Sequence, residues 1–256
     1  MSFADLGLSE EVLKAVSDAG YSEPTPIQEK AIPTVLMGRD ILGCAQTGTG
    51  KTASFTLPMI DILAHGRGRA RMPRTLILEP TRELAAQVAE NFDTYGKYNK
   101  LTKALIMGGT SMVEQNKLLD RGVDVLIATP GRLLDLFDRG GLLLSDVKIL
   151  VIDEADRMLD MGFIPDVEKI VSLLPKIRQT LFFSATMPPE IKRLADAFLM
   201  NPKEITVAPP ATPVATITQG LYMVDHRAKR DVSGLQKKKR DALRQIIKQE
   251  DVKNAL

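Results

Sequence analysis

The chain has 256 residues, 44% hydrophobic and 26% charged, which is enough for one large domain or two small ones of ordinary soluble composition. It has no apolar run near the ~18 to 20 residues that cross a bilayer, and no secretory signal pattern is visible in the N-terminal MSFADLGLSEE, so neither a membrane-spanning nor a secreted protein is expected. The net charge of +2 excludes a global electrostatic field for nucleic acid, although residues 225–256 carry ten Lys/Arg against five Asp/Glu (+5) and the remainder 24 against 27 (−3).

In chain order, residues 9–19 form an amphipathic helix before the turn Pro24-Thr25-Pro26. From residue 41 to 207 short apolar runs alternate with helical segments. Strands are predicted at 41–45, 75–79, 103–107, 124–128, 149–153, 180–184 and 204–207, and helices at 83–95, 111–119, 132–138, 167–174 and 190–198. Strands recurring between helices predict an α/β fold, a mostly parallel central sheet with helices on both faces, whose ligands bind at the carboxyl ends of the strands. After Val207 the texture changes. Residues 208–224 begin with three prolines in nine residues and read as a linker, and residues 225–256 are a basic tail with a helix over 239–249. The single cysteine, Cys44, forms no internal disulfide and reads as a buried structural thiol, consistent with a cytoplasmic protein.

Between the first strand and a helix beginning near Thr52 lies Ala45-Gln46-Thr47-Gly48-Thr49-Gly50-Lys51-Thr52. Strand, Gly-rich turn and helix together let backbone N–H groups cradle phosphate. Gly48 and Gly50 let the backbone curl around the anion, Lys51 reaches the β- and γ-phosphates, and the Thr52 hydroxyl is placed for Mg²⁺. Ala45 stands where the general pattern has Gly. A phosphate loop needs a carboxylate for its metal, and Asp153 supplies one at the end of the apolar run Ile149–Ile152; Glu154 can orient and deprotonate the attacking water.

Through Asp153-Glu154-Ala155-Asp156 the chain resembles the first RecA-like domain of a DEAD-box RNA helicase of superfamily 2. The family's other motifs follow in order: GYSEPTPIQ at 20–28 with Phe3 upstream, PTRELA at 80–85, Gly108-Gly109, TPGR at 129–132 and SAT at 184–186. The resemblance covers roughly residues 3–207, with residues 1–29 as an adenine-sensing segment and 30–207 as the RecA-like P-loop domain.

The resemblance implies ATP and Mg²⁺ as cofactors, with Gln28 on the adenine edge, Phe3 and Tyr21 against the base, and Thr52 and Asp153 at the metal. Lys51, Asp153 and Glu154 are the catalytic set. Pro80, Thr81, Arg82, Gly108, Gly109, Thr129, Gly131 and Arg132 are an RNA track reading phosphate and sugar, and Asp156, Ser184 and Thr186 couple the two sites. Glu79, directly before PTRELA, is a more acidic lead-in than RNA phosphates favour. Met158, Met161, Met187 and Met200 read as packing residues, and Arg67, Arg69, Arg71 and Arg74 as a flexible basic loop.

The resemblance also implies a second RecA-like domain, which supplies the arginine fingers and the rest of the RNA track. Residues 225–256 read as its truncated start, so the chain alone is expected to bind nucleotide but not to unwind. The stripe Leu243, Ile246 and Ile247 is expected to promote self-association. Two alternatives stay open: a superfamily 2 motor acting on DNA, and a non-enzymatic nucleotide- or RNA-binding module.

Overall fold

A computed structural model of the chain describes residues 2–109, 112–207 and 232–249. By its internal contacts the chain divides into two units, residues 1–209 and 210–256, each described by itself.

Seven strands run parallel in one sheet, β1 (Ile41–Cys44), β2 (Thr75–Leu78), β3 (Lys103–Ile106), β4 (Val125–Ala128), β5 (Ile149–Ile152), β6 (Gln179–Ser184) and β7 (Lys203–Thr206), in the order β3-β4-β2-β5-β6-β1-β7. β2, β4 and β5 are buried along their whole length, as apolar strands covered on both faces must be. All seven coincide with predicted runs to within a residue or two, and the sheet is wholly parallel.

The helices divide by face. A 3-10 turn (Phe3–Leu6), α1 (Glu10–Asp18), α2 (Pro26–Leu36), α3 (Lys51–Leu63) and α4 (Arg82–Tyr95) bury their apolar sides in one core with Ile77, Val151 and Leu181. α5 (Met112–Asp120), α6 (Pro130–Asp138), α7 (Ala155–Asp160), α8 (Ile164–Leu173) and α9 (Pro189–Phe198) cover the other, with Leu78, Ile152 and Phe182. Successive strand residues therefore feed opposite cores, the period-two rule of a pleated strand. Phe183 stacks at 5.5 Å on Phe55, and it lies so close beneath Gly43 that a Cβ there would come within 2.4 Å of the ring. The ring pair joins α3 to β6.

Two helices fall outside the predicted set. α2 starts at Pro26, the last residue of the predicted turn, and runs through a stretch for which no element was predicted. Pro26 sits in its first turn, where a missing N–H costs nothing, and Gln28 Oε1 accepts the Thr25 N–H at 2.9 Å. α7 begins directly after Glu154, inside the DEAD tetrapeptide.

The basic loop is also more ordered than its composition predicts. Asp124 Oδ1 accepts the Gly68 N–H and Arg74 Nη1, and Arg71 pairs with Asp120, while Arg67 and Arg69 are exposed. Of the four methionines, Met158 is fully buried, but Met161 and Met200 are 46% and 74% exposed, which corrects their reading as packing residues. Cys44 is half-buried, and its thiol donates to the Ala185 carbonyl.

The second unit contributes α10 (Val232–Gln249), which contains the predicted 239–249 helix, and Leu243 on it is exposed. The linker at 208–224 and the side chains of Ile246 and Ile247 lie outside the described residues. Among the described residues no helix is long and apolar enough to cross a membrane.

Candidate functional site

Parallel strands bring all their following loops to one edge, and the strand order sorts them. The loops after β1, β5 and β6 carry the phosphate loop, the paired acids and SAT; those after β2, β3 and β4 carry PTRELA, the glycine pair and TPGR. β5 lies beside β2, so the two groups of motifs meet along that line.

A cavity of about 450 Å³ opens on the α1–α4 face. Phe3, Tyr21, Gln28, Thr47, Gly48, Gly50, Lys51, Thr52, Asp153 and Glu154 all line it, as do Glu79, Leu84, Val88 and Tyr95. The structure therefore brings together the predicted base-binding, phosphate-binding and acidic residues.

Three members of the phosphate loop stand apart from the wall. Ala45 is buried and its N–H pairs with the Ser184 carbonyl, extending β1 against β6. Its φ is not positive, so the position has no need of the glycine found in the general pattern. The Gln46 carbonyl accepts the Thr49 hydroxyl at 2.7 Å, an internal brace of the loop.

Gly50 opens α3 at φ 89°, ψ 17°, a left-handed conformation that disfavours side chains. A Cβ at Gly50 would also meet Gln28 Nε2 at 2.5 Å, the atom that donates to the Gly50 carbonyl at 3.2 Å. Gln28 therefore ties the start of α2 to the phosphate loop. Phe3 is buried in the cavity wall; Tyr21 is 56% exposed at its rim, 6.4 Å from the Tyr95 ring. Burial, with Tyr21 adding to it, pushes the Tyr95 hydroxyl up to about 12.

At the cavity floor Lys51 Nζ lies 2.7 Å from Glu154 Oε1 and 3.7 Å from Asp153 Oδ1, with the lysine side chain 4% exposed. Burial disfavours the ammonium, but Asp153 and Glu154 outweigh it and raise its pKa. For Asp153 the balance tips the other way: burial outweighs Lys51 and raises the carboxyl to about 6. Thr47 Oγ1 donates to the same Glu154 oxygen at 3.1 Å, and the Glu154 N–H donates to Asp153 Oδ1 at 2.8 Å. Glu154 itself sits at φ 51°, ψ 48°, a strained conformation for a glutamate, and strain of this kind concentrates at functional sites.

Glu79, the acid that precedes PTRELA in sequence, lines this cavity. It is 1% exposed, and burial first, then Asp153 and Glu154, push its carboxyl well above the usual range. The strand alternation through Ile77 carried the signal.

SAT meets the acidic motif directly. Thr186 donates to Asp156 Oδ2 twice, from N at 2.9 Å and Oγ1 at 2.8 Å, and Ser184 Oγ accepts the Asp156 N–H at 3.1 Å. Burial works to raise the Asp156 pKa, but the hydrogen bonds from Thr186 and Ser184 prevail and lower it.

The second group of motifs converges on a shallow depression lined by Pro80, Thr81, Arg82, Gly108, Thr129, Gly131 and Arg132. Arg82 lies along the Gly108–Gly109 backbone and makes no ion pair among the described residues. Thr81 caps α4, accepting the Leu84 N–H, and Thr129 precedes α6 with its hydroxyl uncommitted to the cap. Arg132 is positioned by Gln115 Oε1 at 3.2 Å and Asp135 Oδ2 at 3.1 Å. Gln115, 3% exposed in mid-α5, had no sequence signal; Met161 and Phe163 complete the rim.

The family model described as DEAD/DEAH box helicase matches residues 25–194. The chain belongs to the DEAD/DEAH box helicase family. Among its helicase relatives, the DEAD-box ATP-dependent RNA helicase RhpA of Helicobacter pylori (strain B128) is 47% identical over 224 residues, 88% of this chain and 45% of the relative. RNA helicase CrhR of Synechocystis sp. is 45% identical over the whole chain, which spans 49% of its length. The crystal structure of a DEAD box protein from the hyperthermophile Methanococcus jannaschii superposes with a TM-score of 0.76 at 42% identity, covering 80% of this chain and 56% of that one. The chain thus spans about half the length of the helicases it matches, and its seven-stranded parallel sheet is a RecA-like α/β fold.

Proposed function

We propose that this chain is the ATP- and RNA-binding half of a cytoplasmic ATP-dependent RNA helicase. The observation that carries this reading is the Lys51–Glu154–Asp153 cluster at the floor of a cavity that also holds Gln28 and the phosphate loop.

The donor set fits Mg²⁺–ATP. Thr52 and Asp153 are hard oxygen donors of the kind Mg²⁺ takes, and the buried acids outnumber the lysine that faces them. When bound, Mg²⁺ neutralises charge on the phosphates. Backbone N–H groups of the loop and of the α3 N-terminus hold those phosphates, and Lys51 exchanges Glu154 for a phosphate oxygen. That exchange frees Glu154 to orient the attacking water and accept its proton. Gln28 senses the adenine edge while tied to Gly50, so base recognition bears on loop geometry. Asp156, Ser184 and Thr186 link the cavity to the neighbouring loops.

Arg82, Arg132, Thr81, Thr129 and the Gly108, Gly109 and Gly131 backbones grip the phosphates and sugars of RNA without reading base sequence, and the 2′-hydroxyl distinguishes RNA from DNA. A second RecA-like domain supplies an arginine finger, worth ~10³ to 10⁵ in rate in related NTPases, so turnover and unwinding require it. The exposed Leu243 on α10 supports self-association through the tail, which size-exclusion chromatography with and without residues 225–256 would detect.

Titration calorimetry of the full chain with Mg²⁺–ADP, alone and as Lys51→Ala, tests the nucleotide site; binding that survives the substitution rejects it. Comparing RNA and DNA as stimulators of ATP turnover, with the second domain joined, separates an RNA helicase from a DNA motor. A non-enzymatic module would show no turnover with either.

A further inference from the structure

One buried carboxyl of the cavity, Glu79, has no part in the proposed ATP chemistry. Leu78 of β2 stands opposite Ile152 of β5, so the next residues, Glu79 and Asp153, are neighbours at the ends of adjacent strands. Alternation sends both side chains toward the α1–α4 face, the face that Ile77 and Val151 fill two residues earlier. Glu79 lines the same cavity as Lys51, Thr52, Asp153 and Glu154, and its Oε1 is buried with no hydrogen-bond partner among the described residues.

An orphaned carboxyl oxygen in a protein interior is costly, and an apolar side chain at this position would avoid the cost. A purely structural role therefore leaves the residue type unexplained. The charges point to what is missing. Three carboxyls, Glu79, Asp153 and Glu154, face the single ammonium of Lys51, an excess of two negative charges (three less one) when all are ionised. A bound divalent cation favours the ionised form of carboxyls beside it, and Mg²⁺ usually keeps several of its waters, whose protons seek such acceptors.

We propose that Glu79 is a third carboxylate of the divalent-cation site, accepting a hydrogen bond from the ion's water shell from the β2 side. It is a positioning residue, and its assignment rests on the ATP–Mg²⁺ reading. Outer partners of this kind are worth ~10- to 100-fold in metal affinity.

Mn²⁺ is the probe. Its affinity for the full chain saturated with ADP is measured by electron paramagnetic resonance for the native protein, Glu79→Gln and Glu79→Ala, and ADP affinity is measured separately in EDTA. Both variants are expected to weaken Mn²⁺ about tenfold and to leave ADP affinity in EDTA unchanged. Native protein that binds Mn²⁺ with ADP while both variants bind it equally well, or more tightly, overturns the role of Glu79 alone. An equal fall in Mn²⁺ and metal-free ADP affinity also overturns it, because the loop itself would then be distorted. Native protein that binds no Mn²⁺ with ADP overturns this proposal together with the ATP–Mg²⁺ reading.

Discussion

Lys51 Nζ rests 2.7 Å from Glu154 Oε1, so the cation proposed to hold phosphate and the acid proposed to activate water hold each other at the cavity floor. Both side chains are nearly buried, and removing one strands the other. Lys51→Ala is therefore expected to do two things. It abolishes nucleotide binding, and it destabilises the nucleotide-free protein by about 3 kcal/mol near pH 8, where the acids are driven to ionise. Urea unfolding checks the second effect; an unchanged midpoint would mean that the buried pair contributes no stability.

The acids also set a pH dependence. Burial raises the Glu79 carboxyl well above its ordinary value and Asp153 to about 6. The folded protein keeps these protons where the unfolded chain has released them. Their stabilisation is complete below about pH 4 and is lost as pH rises through 6 and beyond. Nucleotide-free stability should accordingly fall across that window once other groups are subtracted. Glu79→Gln should flatten the slope and raise stability at pH 8, as followed by denaturant unfolding at each pH. A slope identical in the variant would remove Glu79 from the account.

Much of this architecture was readable in residue patterns, for identifiable reasons. Runs such as Ile149–Ile152 and Val125–Ala128 are apolar throughout because both faces of a parallel strand are covered, and they stand out from amphipathic helices. α2 was hidden by Pro24, Pro26 and Pro33, since proline signals a break unless it falls in the first turn. α7 was hidden by the DEAD residues, which carry a chemical reading strong enough to mask a helix start. Glu79 stood out in the sequence only as an acid ahead of PTRELA; its place in the cavity follows from strand alternation counted from Ile77. Gln115 depends on a tertiary meeting of α5 with Arg132 that no local pattern encodes.

Gly50 has two constraints at once, a φ of 89° and the Gln28 amide 2.5 Å from any added Cβ. Gly50→Ala must either displace Gln28 or distort the start of α3. The expected result is at least a tenfold loss of ADP affinity, about 1.4 kcal/mol, with a stability loss of about 1 to 2 kcal/mol from the left-handed backbone. Calorimetry and thermal unfolding read the two effects separately. Retention of native affinity would show that the loop rearranges without cost.

Arg82 lies exposed along the Gly108–Gly109 backbone with no ion-pair partner among the described residues, whereas Arg132 is held by Asp135 and Gln115. A phosphate contact from Arg82 therefore has no internal pair to break. Arg82→Ala should weaken single-stranded RNA binding for all sequences alike and lower the salt-dependence slope by about one charge. Fluorescence anisotropy over a salt series measures both. An unchanged slope would place Arg82 outside the RNA contact.

Thr186 gives Asp156 two hydrogen bonds, one from its backbone and one from its hydroxyl, and only the second depends on the side chain. Thr186→Val keeps the shape and the backbone bond while removing the hydroxyl donor. Neither Asp156 nor Thr186 lines the nucleotide cavity, so nucleotide affinity should stay within about twofold, the free-energy scale of one weakened hydrogen bond. If these residues transmit nucleotide state to the neighbouring loops, RNA unwinding by the protein joined to its second domain should fall by about tenfold, within the range of ordinary coupling energies. ATP turnover should fall far less. Parallel turnover and strand-displacement assays on one preparation decide the matter, and an equal loss in both would make the Asp156–Thr186 pair a structural brace of the α7 start.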